Sequence, residues 1–341
     1  MEQYVGLDVS LKETSLCVID GGGRIVGEGK VATEVATIAA FLAAPAPDAR
    51  RIGLETGPLT TWLWHGLRGL GLSVVCICAR DAKPFLKRRI NKTDRNDAVG
   101  IAELMRIGVF KEVHVKGLDA HGGRALLASR ALLVKLRRDV ENQARGLLKT
   151  FGLRVGQASG GAFEVRVRAL TGERPGLMAV IGPLLAVRAT LLRQIAQLDR
   201  RVVAAVREDA VCRRLTTADG VGPIVAMAYR CALEDAHRFR RSTSVGAYLG
   251  LTPRRFSSGE VDYSGRISKC GDRMVRSLLF EAAGVLLTRS SKWSALRNWG
   301  LRLAKRVGFK KAKVAVARKL AVILHRMWID GATFRRAADA A

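Results

Sequence analysis

Two strand-like apolar runs near the start of the chain carry a carboxylate where a sheet would bury it. Tyr4-Val5-Gly6-Leu7-Asp8-Val9 is apolar but for Asp8, and Arg51-Ile52-Gly53-Leu54-Glu55 closes on Glu55 just before Thr56-Gly57-Pro58. An acid at such a place is costly to desolvate unless it is paired or bound to a cation. The surrounding pattern is that of a layered α/β unit. Ser15–Ile19 reads as a second strand, Gly21-Gly22-Gly23 as a turn, and a third strand opens at Arg24. A helix over Thr33–Ala43 is stopped by Pro45 and Pro47. Thr60–Leu70 reads as a second helix, Ser73–Cys78 as a fifth strand, and Asp94–Ile107 as a helix capped by Thr93. Three strands followed by alternating helices and strands predict a mixed sheet with helices on its faces.

Asp94 and Asp97 stand three apart and therefore share one helix face. Two strand acids and two helix acids can converge at one sheet edge. That donor set suits two hard divalent cations, with water and phosphate oxygens completing their shells. Two metals about 4 Å apart would clamp an in-line phosphoryl transfer. Each acid taken alone reads equally well as a solvated or capping residue; the set of four does not.

The charge points to a polyanionic partner. The 341-residue chain carries 58 Lys and Arg against 30 Asp and Glu, a net charge of +28. Nucleic acid and anionic membrane are the two candidates for such a chain. No apolar run reaches the roughly 18 residues of a spanning helix, and Met1-Glu2-Gln3-Tyr4 lacks the basic start of a signal peptide, so no membrane partner is expected. The charge is uneven. Residues 1–115 hold 15 basic and 13 acidic side chains, residues 116–237 hold 20 and 11, and residues 238–341 hold 23 and 6. Such asymmetry suggests separate tasks for separate domains. The six cysteines include no C-x-x-C pair and the histidines, His114 and His121 among them, show no ligand spacing, so a zinc site is not expected.

From Leu118 to Thr150 an apolar stripe recurs at helical spacing, and again from Leu184 to Arg214, with Gly152–Gly176 between them. This predicts an antiparallel helical pair, used either as a coiled-coil-like arm or inside a compact bundle. The remainder is Gly-punctuated, basic and mostly helical. The domain expectation is 1–116, 117–214 and 215–341. Lys305–Lys319 reads as one amphipathic helix with a basic face that includes Lys310 and Lys311. Trp293 and Trp299 read as core anchors before base-stacking residues.

Three strings then identify the chain by resemblance. Tyr4–Ser10, Leu54-Glu55-Thr56-Gly57-Pro58 and Lys92-Thr93-Asp94-Arg95-Asn96-Asp97-Ala98 resemble the DEDD-type bacterial insertion-sequence transposases. Their N-terminal domain is RuvC-like, a ribonuclease-H-like fold. The resemblance implies that Asp8, Glu55, Asp94 and Asp97 are catalytic acids holding Mg²⁺, two ions by the donor set. Gly220-Val221-Gly222-Pro223, Gly246–Pro253, Ser258-Gly259 and Ile267–Asp272 follow the family's second domain in order and spacing. That domain carries a serine that attacks DNA, and Ser258 matches it, with Ser257 and Ser268 as neighbours to test. Asp272 departs from the family's usual Asn and puts a negative charge beside a basic loop.

Arg254 and Arg255 are expected to hold the scissile phosphate, and Lys269, Lys310 and Lys311 to contact the nucleic acid more generally. Leu215–Ala226 resembles a helix-hairpin-helix signature, in which Gly220 and Gly222 would expose backbone N–H groups to a phosphate; an ordinary packing joint fits as well. The family further implies guidance by a bridge RNA of the element, a dimer or tetramer, and work in the bacterial cytoplasm at the nucleoid. A water-using junction resolvase and a non-enzymatic nucleic-acid-binding protein are the alternatives.

Overall fold

The apolar alternation of the first third becomes a five-stranded sheet. The computed structural model describes residues 2–88 and 91–335, which divide into two units, Met1–Leu118 and Asp119–Ala341. In the first unit β1 (Gln3–Val9), β2 (Glu13–Asp20), β3 (Ile25–Ala32), β4 (Arg51–Glu55) and β5 (Val74–Ile77) lie in the order β3-β2-β1-β4-β5. The first three form an antiparallel meander, while β4 runs parallel to β1 and β5 parallel to β4. On one face, Val5, Leu7, Ile52 and Leu54 pack on α1 (Val35–Leu42) and α2 (Thr60–Gly69). On the other, Tyr4, Cys17, Ile19 and Ile77 pack on α3 (Ala79–Leu86) and α4 (Asp94–Ile107). Cover on both faces explains why the central strands read as nearly continuous apolar runs. Helix α3 has no counterpart in the sequence expectation. Pro84 lies inside it, and an interior proline both removes a helical hydrogen bond and masks the helix signal.

The second unit is helical apart from one hairpin. Helix α5 (Leu118–Thr150) occupies the expected span. The supposed connector contains α6 (Gly161–Thr171). Helix α7 (Pro175–Glu208) starts well before Leu184 and runs through Pro183. It stops at Asp209, whose side chain accepts from the Cys212 amide and caps a separate α8 (Ala210–Leu215). Helices α5 and α7 are antiparallel: Arg188 pairs with Glu141 and Arg130 with Asp199, so eleven residues back along one is eleven forward along the other. Their stripe is not buried as a continuous seam, since Leu132 and Leu136 are 54% and 40% exposed. Apolar burial gathers at the two ends instead. Ala144, Leu148, Phe163, Ile181 and Leu185 form one small core, and Leu127, Val202 and Val206 join the main one. Helix α7 is long and apolar enough to cross a membrane by length and composition; its Arg188 is buried against Glu141 and over the Phe163 ring.

The main core is made by α9 (Pro223–Leu233), α10 (Thr243–Tyr248), α11 (Arg273–Thr288), α12 (Ala295–Val307) and α13 (Phe309–Ile329). The basic stretch Lys305–Lys319 is therefore two helices. Gly308, at φ +86°, ends α12 and begins α13, a conformation that favours glycine. Of the two tryptophans, Trp299 packs on this core with Lys319 3.9 Å over its ring, whereas Trp293 is 53% exposed. The cysteines are free thiols, and burial pushes Cys76 and Cys212 up to about 12.

Candidate active site

Strand register and one helix bring the four acids together. Leu7 pairs with Leu54 across the parallel β1–β4 ladder, so Asp8 and Glu55 follow side by side at the carboxyl ends of adjacent strands. In open α/β sheets that edge is where ligands bind. Alternation along each strand puts Leu7 and Leu54 toward α1 and α2, and Asp8 and Glu55 toward α4. Helix α4 starts at this edge with Asp94 and Asp97 in its first turn. Thr93 caps it by accepting from the Asn96 amide at 3.1 Å, and the positive end of the helix dipole favours acids there.

Burial, then the charges of Asp97 and Asp94, raise Asp8 from 3.8 to about 6; Lys92 offsets this only in part. Burial, then Asp8 and Asp97, likewise push Glu55 up, again against Lys92. One carboxylate oxygen of Glu55, Oε1, is buried with no hydrogen-bond partner. Asp8 and Glu55 line a cleft of about 710 Å³ with Lys12 and Thr60. Asp94 lies in the neighbouring depression, 3.9 Å from Lys30, which Glu13 also holds at 3.0 Å. The acids thus act on one another electrostatically, yet among the described residues no three His, Cys, Asp or Glu side chains form a ready-made metal cage. Mutually repelling carboxylates do not close up by themselves.

Ser258 does not sit in a loop. It is the last residue of β6 (Pro253–Ser258), which pairs with β7 (Val261–Ile267) in an isolated two-stranded ribbon. Ser258 pairs with Val261 around a Gly259-Glu260 turn, with Gly259 at φ +57°. Directly paired residues share a ribbon face. Ser258 and Val261 therefore share one face with Phe256 and Tyr263, and Ser257 and Asp262 share the other. Arg255 is on that second face, its guanidinium held in a fork by Asp262 at 2.9 and 2.6 Å. Arg255 nevertheless lines the same groove as Arg254, Phe256, Tyr263 and Lys269. Arg254 lines that groove too, with Arg266 and Ser268.

Lys269 is in the left-handed region at φ +56°. At the ribbon's root, Gly250 and Gly271 approach the backbones of Cys270 and Tyr248 so closely that a Cβ would collide. Asp272 adds no free negative charge: it caps α11 through the Val275 amide and is paired with Arg124. Burial opposes its ionisation, but the Arg124 and Val275 hydrogen bonds outweigh this and hold its carboxyl below the usual range. Gly220 has a packing reason for being glycine, because a Cβ would strike the Ala282 carbonyl of α11; Gly222 faces open space. Lys310 and Lys311 are exposed in the first turn of α13.

A DEDD-type IS110 transposase model matches residues 5–152, and one described as Transposase IS116/IS110/IS902 family matches residues 212–298. The transposase for insertion sequence element IS1111A of Coxiella burnetii is 30% identical over 98% of this chain and 91% of its own. The chain belongs to this family of insertion-sequence transposases. The transposase for IS1328 of Yersinia enterocolitica is 30% identical over 78% of this chain and 80% of its own.

The transposase is accordingly a DNA-processing enzyme, and the DEDD type implies a divalent metal. Its residues fit one. Glu55 Oε1 is an orphaned buried acceptor, and the burial and like-charge crowding that raise Asp8 are of the kind a cation relieves. Reading from the sequence passed over a repeated signal that builds this edge: Val5-Gly6-Leu7-Asp8 and Ile52-Gly53-Leu54-Glu55 are the same string twice over, with Val replaced by Ile and Asp by Glu. Gly6 and Gly53 are cross-strand partners. A Cβ on Gly6 would collide with the Ala98 carbonyl and Ala102 amide, and one on Gly53 would lie 2.7 Å from Met105 and 2.9 Å from Ile101. The two glycines let α4 lie against the sheet so that its first turn reaches the acids.

Proposed function

We propose that this transposase cuts and rejoins DNA in a Mg²⁺-dependent reaction through a covalent link to Ser258. The observation that carries the metal half is the placing of Asp8 and Glu55 side by side at one sheet edge, where the charges of Asp97 and Asp94 reach Asp8 and those of Asp8 and Asp97 reach Glu55. Those residues would hold the cation, which would supply Lewis-acid stabilisation of charge on a phosphodiester. For the serine half, Ser258 is exposed at the tip of a ribbon, where it can reach a substrate that the rest of its own unit does not enclose.

In the attack, Ser258 Oγ forms a bond to phosphorus as the bond to a deoxyribose oxygen breaks. The hydroxyl proton leaves the serine and the departing sugar oxygen ends protonated. One phosphodiester replaces another, so strands can be rejoined without an external energy source. Arg254 and Lys269 offset charge on the attacked phosphate, while Lys310, Lys311 and the Gly222 turn hold flanking nucleic acid. The reading extends to a guide RNA encoded by the element, to a dimer or tetramer that brings two DNAs together, and to work on nucleoid DNA in the bacterial cytoplasm.

Ser258→Ala should eliminate recombination and any trapped protein–DNA adduct while leaving DNA and RNA binding intact. Activity retained in Ser258→Ala but lost in Ser257→Ala or Ser268→Ala would move the role to that neighbour. Cleavage that persists in all three variants would mean that water is the nucleophile. Sequencing of copurified RNA tests the guide.

A further inference from the structure

Phe256 and Tyr263 form a stacked pair on the β6–β7 ribbon, with ring centroids 5.5 Å apart and planes 28° from parallel. They are 51% and 59% exposed, and every residue from Pro253 to Arg266 is exposed. The rings therefore bury little within their own unit. A cross-strand aromatic pair adds modestly to the stability of the ribbon, and it still leaves aromatic faces open to solvent.

Their setting is cationic. Arg254, Arg255, Arg266 and Lys269 line the same groove of about 490 Å³ as the rings, and among the described residues no acid lines it. The carboxylate nearest in the ladder, Asp262, is on the opposite face and is paired with Arg255. Alternation of aromatic faces with phosphate-binding cations is the composition of a surface for single-stranded nucleic acid. The root of the groove is firmly held. The Lys269 amide donates to the Gly250 carbonyl at 3.1 Å, and Lys269 keeps its left-handed backbone between the close approaches of Gly250 and Gly271. Such strain persists only where the surroundings impose it.

Register links the rings to the serine. Ser258 and Val261 are each two residues from a ring, on the same face, which is about 7 Å along the strands. That is the order of one unstacked nucleotide. We propose that Phe256 and Tyr263 are a stacking platform for an unpaired base of the DNA strand that Ser258 attacks, with Arg254, Arg266 and Lys269 taking the flanking phosphates. The two aromatics are positioning residues: they hold the strand so that its neighbouring phosphodiester lies at the Ser258 hydroxyl. This rests on the reading of Ser258 given above. It also separates the adjacent serines, because Ser257 shares its face with Asp262 and not with the rings.

The test is photocrosslinking of the full chain to a single-stranded DNA oligonucleotide carrying one 5-iodo-deoxyuridine, with the crosslinked peptide identified by mass spectrometry. A crosslink at Phe256 or Tyr263 is expected, and it should survive Ser258→Ala. The double variant Phe256→Leu/Tyr263→Leu should lose the crosslink and bind single-stranded DNA about tenfold more weakly at an unchanged melting temperature. Phe256→Trp should keep both. Crosslinks found only outside the ribbon would overturn the platform, as would an RNA oligonucleotide of the same sequence crosslinking at the rings in preference to DNA. The two readings fail separately. A Ser258 adduct without a ring crosslink removes the platform alone, and a ring crosslink without an adduct removes the nucleophile alone.

Discussion

At the scale of single residues, the chemistry depends on carboxylates that the fold holds in an unfavourable state. Folding lifts Asp8 from 3.8 to about 6, chiefly by burial and then by Asp97 and Asp94. Between those pH values the folded chain keeps a proton that the unfolded chain has lost. Without divalent metal, stability should therefore fall as pH rises from about 4 to about 6 and level off above. Added Mg²⁺ should raise the melting temperature at pH 7.5 and have little effect at pH 4, which thermal scans at the two pH values would show. Asp8→Asn removes one of the repelling charges. It should raise the metal-free melting temperature at pH 7.5, erase the Mg²⁺ response and abolish strand cleavage. A variant that melted lower and still responded to Mg²⁺ would show that Asp8 does not face the cation. Asp94→Asn should likewise abolish exchange while leaving nucleic-acid affinity nearly intact, as read by a filter-binding titration.

At the scale of elements, close approach positions the site. Helix α4 can present Asp94 and Asp97 only because Gly6 and Gly53 carry no side chain where it crosses β1 and β4. Gly6→Ala meets helix backbone, which cannot move aside, and should cost about 1–3 kcal/mol or more. Gly53→Ala meets the side chains of Met105 and Ile101, the first of them flexible, and should cost less; urea unfolding of the two variants gives the order. In the second unit the α5–α7 pair encloses a buried ion pair. Arg188 Nε donates to Glu141 at 2.8 Å, and the guanidinium lies over Phe163 at 4.9 Å. Arg188→Met would leave Glu141 buried without that partner and should cost about 3–5 kcal/mol. Adding Glu141→Leu should recover most of the loss, and a double-mutant cycle measures the coupling.

At the scale of the whole molecule, charge divides the work. Residues 1–115 are close to neutral, whereas residues 238–341 carry 23 basic side chains against 6 acidic ones. Nucleic-acid affinity should therefore belong mainly to the second unit and weaken steeply with salt. Lys310→Glu/Lys311→Glu should lower affinity about equally for all sequences. The log–log salt slope should shrink by roughly one for each phosphate that the variant no longer neutralises. A slope unchanged from the parent chain would remove α13 from the interface.

Much of this is legible in the sequence alone. Where a segment's environment repeats along it, the pattern shows it, so the strands around Asp8 and Glu55, the α4 helix with its Thr93 cap, and the length of α5 can all be read directly. The acids are legible for a related reason: charge inside an apolar strand needs a partner. Features whose cause lies elsewhere in the chain are not legible. Pro84 and Pro183 sit within helices α3 and α7 against their local preference because tertiary packing overrides propensity. Gly308 divides one apparent basic helix into two. The stretch around Ser258 reads as a loop because its strands have no buried face, and burial on one face is what makes a strand pattern visible. Only cross-strand pairing assigns Arg255 to Asp262 and Ser258 to the face of Phe256 and Tyr263. Sequence determines which residues can do chemistry. Which of them share a face is decided by register and close packing, because these join positions that no local pattern connects.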